Sequence, residues 1–226
     1  EMDRHGLFAV VCDGMGGANA GNVASRFAAQ SFMEAARSSL KETLDATKRQ
    51  TLLTHALVQA NDTVFSLAGR QPEFRGMGTT LVAALVQDDQ VTVLNVGDSR
   101  AYLFDGTRLH QLTEDHSYVE EMRRQGRITE ADARTHPQKN LITRAVGVEP
   151  DVDGDLFEAR LAPGEILLLC SDGLTGMVED EKIAQTLKDA KTLALAGDAL
   201  LTLALEGGGR DNITVALFTR GAEEEA

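Results

Sequence analysis

Tryptophan is absent from this chain of 226 residues, and aromatic residues make up only 4% of it. Aliphatic side chains must therefore fill the core. Apolar runs long enough to span a bilayer are also lacking, and no signal peptide opens the chain. Basic residues are in deficit. Lysine and arginine number 22 against 35 aspartates and glutamates, for a net charge of −13. That balance argues against binding to nucleic acid or to an anionic membrane, both of which need basic patches. Part of the excess sits in the tail Glu223-Glu224-Glu225, read as a solvated end. Cysteine is scarce: Cys12 and Cys170 occur without any CxxC spacing. They read as small buried hydrophobes in a reducing cytosol, with a disulfide or a thiolate metal site as the lesser alternative.

Two nucleotide-binding patterns fail as well. The segment Asp13-Gly14-Met15-Gly16-Gly17 would need glycine at 19 for a dinucleotide fold, and Asn19 stands there. No Lys-Ser or Lys-Thr follows the glycines, so it is not a P-loop, and Gly76-Met77-Gly78-Thr79-Thr80 fails the same test. Both segments read as tight turns. The first has a sharper reading, in which its glycines let the Gly14 carbonyl approach a metal beside Asp13.

What the chain does have is four aspartates at the ends of apolar runs. FAVVC ends at Asp13, VTVLNVG at Asp98 and EILLLCS at Asp172, while Asp211 stands just before NITVALF. Short apolar runs bounded by glycine and aspartate read as buried strands. In antiparallel sheets the end of one strand lies beside the start of the next, so the four carboxylates can meet at one sheet edge. Clustered carboxylates repel one another unless cations sit among them, and an oxygen-rich site suits hard divalent metals.

The length fits one domain, 1–226, with a sizeable core. After the strand 7–12, a helix is expected with Ala24, Phe27, Ala28, Ser31, Phe32 and Ala35 on one face. A second runs from about Thr51 to Ala68, with Leu53, Ala56, Leu57, Ala60, Val64, Leu67 and Ala68 on its stripe, and the two make an antiparallel pair. Strands follow at 79–86, 91–96, 101–104 and 107–112. Asp105-Gly106 predicts a type I′ hairpin turn, with positive φ at both positions. Residues 114–146 are polar, with an amphipathic piece at 118–125, a capped turn at Thr129 with Asp132, and a break at His136-Pro137. They read as a mobile excursion beside the sheet. Strands 155–161 and 165–170 are expected to pair as a hairpin across Pro163-Gly164. Helices over 179–187 and 191–206, stopped at Gly207, precede the last strand. Two antiparallel sheets covered by helix pairs is the natural packing.

Together these segments resemble the metal-dependent serine/threonine protein phosphatases of type 2C (PPM), in their bacterial form. The matching stretches are FAVVCDGMGGANAGNVAS (8–25), RGMGTTLVAAL (75–85), VLNVGDSRAYLF (93–104), LTEDHS (112–117), HPQKNLITRAVG (136–147), LLLCSDGLTGMV (168–178) and GGRDNITVALF (208–218), in the family's order and over nearly the whole chain. The resemblance implies an α+β fold, a four-layer α-β-β-α sandwich. It also implies a hydrolase with two Mn2+ or Mg2+ ions, and a third, weaker one in bacterial members. By matched motif, Asp13 bridges the two ions with the Gly14 carbonyl as a further ligand, Asp172 and Asp211 hold one ion, and Asp98 reaches the third, sharing Asp172. A metal-bridging hydroxide would attack phosphoserine or phosphothreonine in line, with no covalent intermediate. Residues 115–145 match the family's flap. The implied partners are phosphorylated proteins, with a serine/threonine kinase whose action is reversed. The expected state is a cytoplasmic monomer.

The match also has gaps. Family members begin with a strand carrying a phosphate-binding arginine, then an Asn-Glu-Asp-like segment, and neither is found before Asp13. Arg4 stands too close to the strand to be that arginine, so the chain is expected to lack an N-terminal portion, and no substrate-binding residue is assigned. Ala18 and Asn22 stand where many bacterial members have His and Glu. His116 and His136 match flap-region motifs and are expected to order loops, with a general-acid role as the lesser alternative. Arg100 and Arg144 are expected to serve as structural ion-pair partners rather than phosphate clamps, and Arg210 either reaches substrate or is a solvated turn residue. The alternative is a catalytically weak or inactive phosphatase-like binding module.

Overall fold

The computed structural model describes residues 2, 3 and 5–221, apart from the side chains of Met2, Asp3 and Ala18. Arg4 and the tail Glu223–Glu225 fall outside the described residues. In chain order the elements are β1 (Met2–Asp3), β2 (Gly6–Val11), β3 (Gly14–Met15), α1 (Ala18–Ser39), α2 (Ala46–Arg70), β4 (Gly78–Thr79), β5 (Leu81–Gln87), β6 (Gln90–Val96), β7 (Arg100–Phe104) and β8 (Leu109–Gln111). Then come α3 (Tyr118–Arg124), α4 (Glu130–Thr135), β9 (Asp155–Arg160), β10 (Ile166–Cys170), α5 (Asp172–Thr175), α6 (Asp180–Asp189), α7 (Leu193–Glu206) and β11 (Val215–Thr219).

The strands form two antiparallel sheets, ordered β1-β2-β5-β6-β9 and β11-β10-β7-β8, with β3 and β4 as a small separate pair. All seven residues of β5 are buried because both faces of its sheet are covered. Leu81, Ala83 and Leu85 face α1 and α2, where Ala24, Ala28, Phe32, Leu53, Leu57, Ala60 and Val64 pack on them. The alternate residues Val82, Ala84 and Val86 turn the other way, toward Leu167 and Leu169 of the second sheet. Leu168 and Cys170 face outward again, against Ile183, Leu187, Ala196 and Leu200 of α6 and α7. Three apolar layers thus separate four structural ones. The period-two alternation of a strand explains why such runs look uniformly apolar in sequence. The expected α-β-β-α sandwich is the architecture observed.

Helix α2 starts earlier than its apolar stripe suggests. Asp45 caps it by accepting a hydrogen bond from the Lys48 amide at 2.9 Å, which carries the helix one polar turn ahead of Leu52 and Leu53. On α1 the fully buried alanine near the end is Ala36, while Ala35 is only partly buried against the cluster. Both cysteines are unpaired, and burial pushes the Cys170 thiol up to about 12.

Two expectations need correction. Residues 155–161 and 165–170 do not form a hairpin. β9 pairs with β6 in the first sheet, and β10 pairs with β7 and β11 in the second. The turn chemistry is real, since Gly164 has φ of 85° and the Glu165 amide bonds the Ala162 carbonyl at 3.1 Å. However, Leu161 is drawn into the layer between the sheets, and the chain crosses there from one sheet to the other. The β7–β8 hairpin does exist, with Phe104 opposite Leu109, but not through a type I′ turn. Asp88 is the one described non-glycine residue with positive φ. Asp105 instead uses its carboxylate to accept from the Thr107 and Arg108 amides at 2.8 and 2.7 Å, an Asx-type turn.

The return from the excursion is tied down by Asn61 on α2. Its Oδ1 accepts from the Gly147 amide at 2.7 Å, and its Nδ2 donates to the Glu149 and Pro150 carbonyls at 3.1 and 3.0 Å. Asn61→Ala strands three backbone groups at a site that is only 2% exposed. It should lower the free energy of unfolding by about 2–4 kcal/mol, read from the urea midpoint and slope. A loss within 0.5 kcal/mol or so of zero would mean water replaces the amide freely.

Candidate metal centre

The four aspartates converge at one end of the sandwich, and the strand register shows why. Val11 pairs with Val82 and Val96 with Leu81, so Asp13 and Asp98 both emerge at the β5 start. The chain then crosses sheets through Gly97–Ser99. Arg100 at the head of β7 pairs with Cys170 at the tail of β10, and Cys170 with Val215 at the head of β11. Asp172 and Asp211 are thereby carried to the same end, with Asp172 in the first turn of α5.

Asp13 and Asp172 are close enough to share a hydrogen bond, and Asp211 lies within electrostatic reach of both. Burial, then mutual repulsion, raises the Asp13 carboxyl; Asp172 is raised as well, burial being again the largest cause. Asp98 is pushed up to about 7 by burial, then by the charges of Asp172 and Asp115. Partly buried carboxylates brought this close disfavour one another's charged form. The donor set is oxygen only and fits a hard divalent ion. As they stand, no three His, Cys, Asp or Glu side chains among the described residues are gathered closely enough to hold an ion between them.

The glycine-rich turn serves packing. A Cβ on Gly14 would fall on the Gly21 carbonyl carbon and oxygen, and a Cβ on Gly21 would meet the Gly14 oxygen at 2.6 Å. Only paired glycines let the turn lie against α1, placing Gly14 immediately after Asp13.

The backbone of Asp13 is clamped by residues that the sequence did not single out. Its amide donates to Thr80 Oγ1 at 2.9 Å, its carbonyl accepts from Thr79 Oγ1 at 2.8 Å, and the Thr80 amide donates to the same carbonyl at 2.8 Å. Thr80 Oγ1 in turn meets Ser99 Oγ at 2.7 Å. The signal was the Thr-Thr pair after the second glycine cluster, with a serine directly after Asp98.

His116 orders the loop, as expected. Its Nδ1 accepts from the Gly97 amide at 3.0 Å, which leaves Nε2 to donate to Asp155 Oδ2 at 3.1 Å. Asp155, although partly desolvated, is held below its ordinary range by His116 and Arg144. Arg144 pairs with Asp155 at 2.9 Å and Arg100 with Asp115 at 2.7 Å, so both are structural partners. His136 caps α4 and its Nδ1 accepts from the Gln138 amide at 3.1 Å. Arg210 is exposed. The excursion carries α3 and α4, the latter with the expected Thr129–Asp132 capping box. Between it and the carboxylate edge lies a cavity of about 600 Å³, lined by Asp98, Asp172, Asp115, Arg134 and Lys139 among others. A second hollow of about 530 Å³, between α7 and β11, has no carboxylate other than Asp198 on its wall.

The layered sandwich is shared with solved bacterial protein phosphatases. Serine/threonine phosphatase Stp1 from Staphylococcus aureus superposes with a TM-score of 0.89 at 38% identity, over 96% of this chain and 85% of that one. The catalytic domain of serine/threonine protein phosphatase PstP, solved in complex with two manganese ions, gives 0.82 at 33% identity over 93% of this chain and 86% of that one. The serine/threonine phosphatase stp of Listeria monocytogenes is 44% identical over 214 residues, 93% of this chain and 83% of that protein. The protein phosphatase 2C family profile matches residues 2–202. The chain belongs to the protein phosphatase 2C family.

The raised carboxyls set a pH dependence. A folded-state value of about 7 for Asp98, against 3.8 ordinarily, favours the native state fully at low pH, and that stability is lost as pH rises through about 7. With EDTA present the urea midpoint should therefore fall between pH 5 and pH 8, Asp98→Asn should flatten the fall, and manganese should suppress it. A parent midpoint that rises over this interval and matches Asp98→Asn throughout would contradict the electrostatic account.

Proposed function

We propose that this chain is a manganese- or magnesium-dependent phosphatase that hydrolyses phosphoserine and phosphothreonine in proteins. The observation that carries the reading is the contact of Asp13 with Asp172, with Asp98 and Asp211 in electrostatic reach, in a chain of this family. In the proposed assignment Asp13, the Gly14 carbonyl, Asp172 and Asp211 hold two ions, and Asp98 with Asp172 reaches a third. When bound, such ions polarise phosphoryl oxygens and make water acidic enough to act as a nucleophile near neutral pH.

The chain's own residues supply the rest. Thr79 and Thr80 fix the Asp13 backbone, so the carboxylate projects from a rigid point rather than from a loop. Ser99, bonded to Thr80, holds the crossing that presents Asp98. Arg100 holds Asp115 beside the site through two nitrogens, at 2.9 and 2.7 Å. Phosphate monoesters are among the slowest-hydrolysing biological compounds, with enzymatic accelerations reaching ~10²¹-fold. Such acceleration calls for oxygen donors held in place at a partly desolvated edge.

The finer parts of the reading are a kinase whose products the enzyme reverses, a cytoplasmic location and a monomeric state. Two unpaired cysteines support a reducing compartment, and no helix among the described residues is long and apolar enough to cross a membrane.

Manganese-supported hydrolysis of a phosphothreonine peptide, abolished by EDTA, is the direct test. Asp172→Ala should lower kcat by more than about a hundredfold while leaving the far-ultraviolet circular dichroism unchanged. A protein shown by calorimetry to bind two manganese ions yet inert toward the peptide would sink the reading. A wild-type rate in Asp172→Ala would remove that residue from the ligand set.

A further inference from the structure

The cavity beside Asp98 and Asp172 is lined by many charges, and its electrostatics are set by which of them are already paired. Arg100 is bound to Asp115 at 2.7 Å, Arg123 to Glu120 at 2.6 Å and Arg134 to Glu179 at 2.9 Å. Each of these cations is satisfied by a carboxylate in the same wall. Lys139 lines the same cavity, and no carboxylate among the described residues forms an ion pair with it. Its side chain is half-buried, so it is not simply a lysine extended into bulk water.

The local structure holds Lys139 in place. Its amide donates to the His136 carbonyl at 3.1 Å, and the Leu141 amide donates to the Gln138 carbonyl at 3.1 Å. The His136 ring packs against Tyr118 with centroids 6.1 Å apart. Beyond the turn, Tyr118 donates its amide to the Leu141 carbonyl at 2.9 Å, and Ser117 bridges to Ile142. The turn is thus fastened to the start of α3, and Lys139 projects from a fixed base on the flap toward the carboxylate edge. Its charge reaches Asp172, where it opposes the effect of burial.

We infer that Lys139 is the flap's contribution to phosphate binding, an unpaired ammonium placed across the cavity from the metal-ligand carboxylates to receive the phosphoryl oxygens of the substrate. The inference rests on the phosphatase reading above and extends it to a named substrate contact. A lysine suits the task because its ammonium is a compact point charge on a flexible stem and can follow a phosphate that the peptide presents at a variable angle. Arg100 cannot take this role without leaving Asp115, 11% exposed, uncompensated, while Arg123 and Arg134 are already engaged by Glu120 and Glu179 in more exposed pairs. In a chain of net charge −13, a cation that forms no ion pair in the wall is the feature that an incoming dianion would use.

The test compares Lys139→Met and Lys139→Arg with the parent in saturating manganese, measuring kcat and KM on a phosphothreonine peptide and the inhibition constant of inorganic phosphate. Lys139→Met should raise both KM and the phosphate inhibition constant by about tenfold, with kcat changed by less than about threefold, and Lys139→Arg should return both to within about threefold of the parent. Manganese binding, followed by calorimetry, should keep its stoichiometry in both variants. A phosphate inhibition constant in Lys139→Met within about twofold of the parent overturns the inference. So does weakened manganese binding that accounts for the whole change, because Lys139 would then act on the carboxylates and not on phosphate. If the parent hydrolyses no peptide, the phosphatase reading fails by itself. Calorimetric titration of inorganic phosphate into the manganese-loaded parent and Lys139→Met then decides the lysine: a tenfold weaker affinity in the variant upholds it, and equal affinities overturn it.

Discussion

The hydroxyls of Thr80 and Ser99, 2.7 Å apart in a fully enclosed setting, are where the two sheets are joined at the functional end. Thr80 belongs to the entry of β5 in the first sheet, and Ser99 to the crossing that delivers the chain to the second. The same Thr80 oxygen accepts the Asp13 amide. One side-chain oxygen therefore registers three things: the end of β2, the start of β5, and the path between the sheets. A buried hydroxyl left without such partners would cost about 1–3 kcal/mol, so the arrangement is self-enforcing. Moving β2 or β5 by one residue along the other would break it.

The charge arrangement follows from that clamp. Because Asp13, Asp98 and Asp172 are presented from rigid strand ends, they cannot relax away from one another as surface carboxylates do. The fold holds their repulsion in place, and the raised carboxyls of Asp13, Asp98 and Asp172 record it. Elsewhere the chain disperses its negative charge through local pairs and turn hydrogen bonds. Asp105 is held well below the ordinary carboxylate range by the Thr107 hydroxyl, His110 and backbone amides. The contrast between these two kinds of aspartate, one stabilised locally and one frustrated, separates turn-forming acids from those poised for a cation.

Much of this was legible in the sequence because it depends on period and punctuation. Uniformly apolar runs ending in aspartate gave the strand ends, and the alanine-rich stripes of α1 and α2 gave the helix pair. What was not legible depends on partners far away in the chain. Thr80 meets Ser99 only because two strands meet, and Asn61 secures a loop 86 residues further on. Pro163-Gly164 carries ordinary turn chemistry, yet whether the flanking strands pair or diverge is decided by their neighbours β6 and β7. Lys139 was hidden for a related reason. In HPQKN it is one polar residue among several, and only the pairing of Arg100, Arg123 and Arg134 elsewhere in the cavity distinguishes it.

The flap is not uniformly attached, and its attachment explains how a polar excursion can serve a buried edge. At its entry, His116 and Gly97 exchange two hydrogen bonds, from the His116 amide at 2.9 Å and to the imidazole at 3.0 Å. At its exit, Val146 and Thr79 exchange a further two, at 2.9 and 3.0 Å. Gly97 adjoins Asp98, and Thr79 holds the Asp13 carbonyl, so both roots of the flap end in the clamp itself. Between the roots, Val119 is the buried apolar residue of α3 and α4 has none. Local opening costs least where few apolar contacts and many exposed hydrogen bonds are lost. The excursion therefore opens at α4 at a lower cost than at its roots, and the α4 segment, tied to Glu179 through Arg134 at 2.9 Å, can change while Asp13 and Asp98 keep their positions. A cavity wall built in this way can adapt to a protein substrate without disturbing the carboxylates.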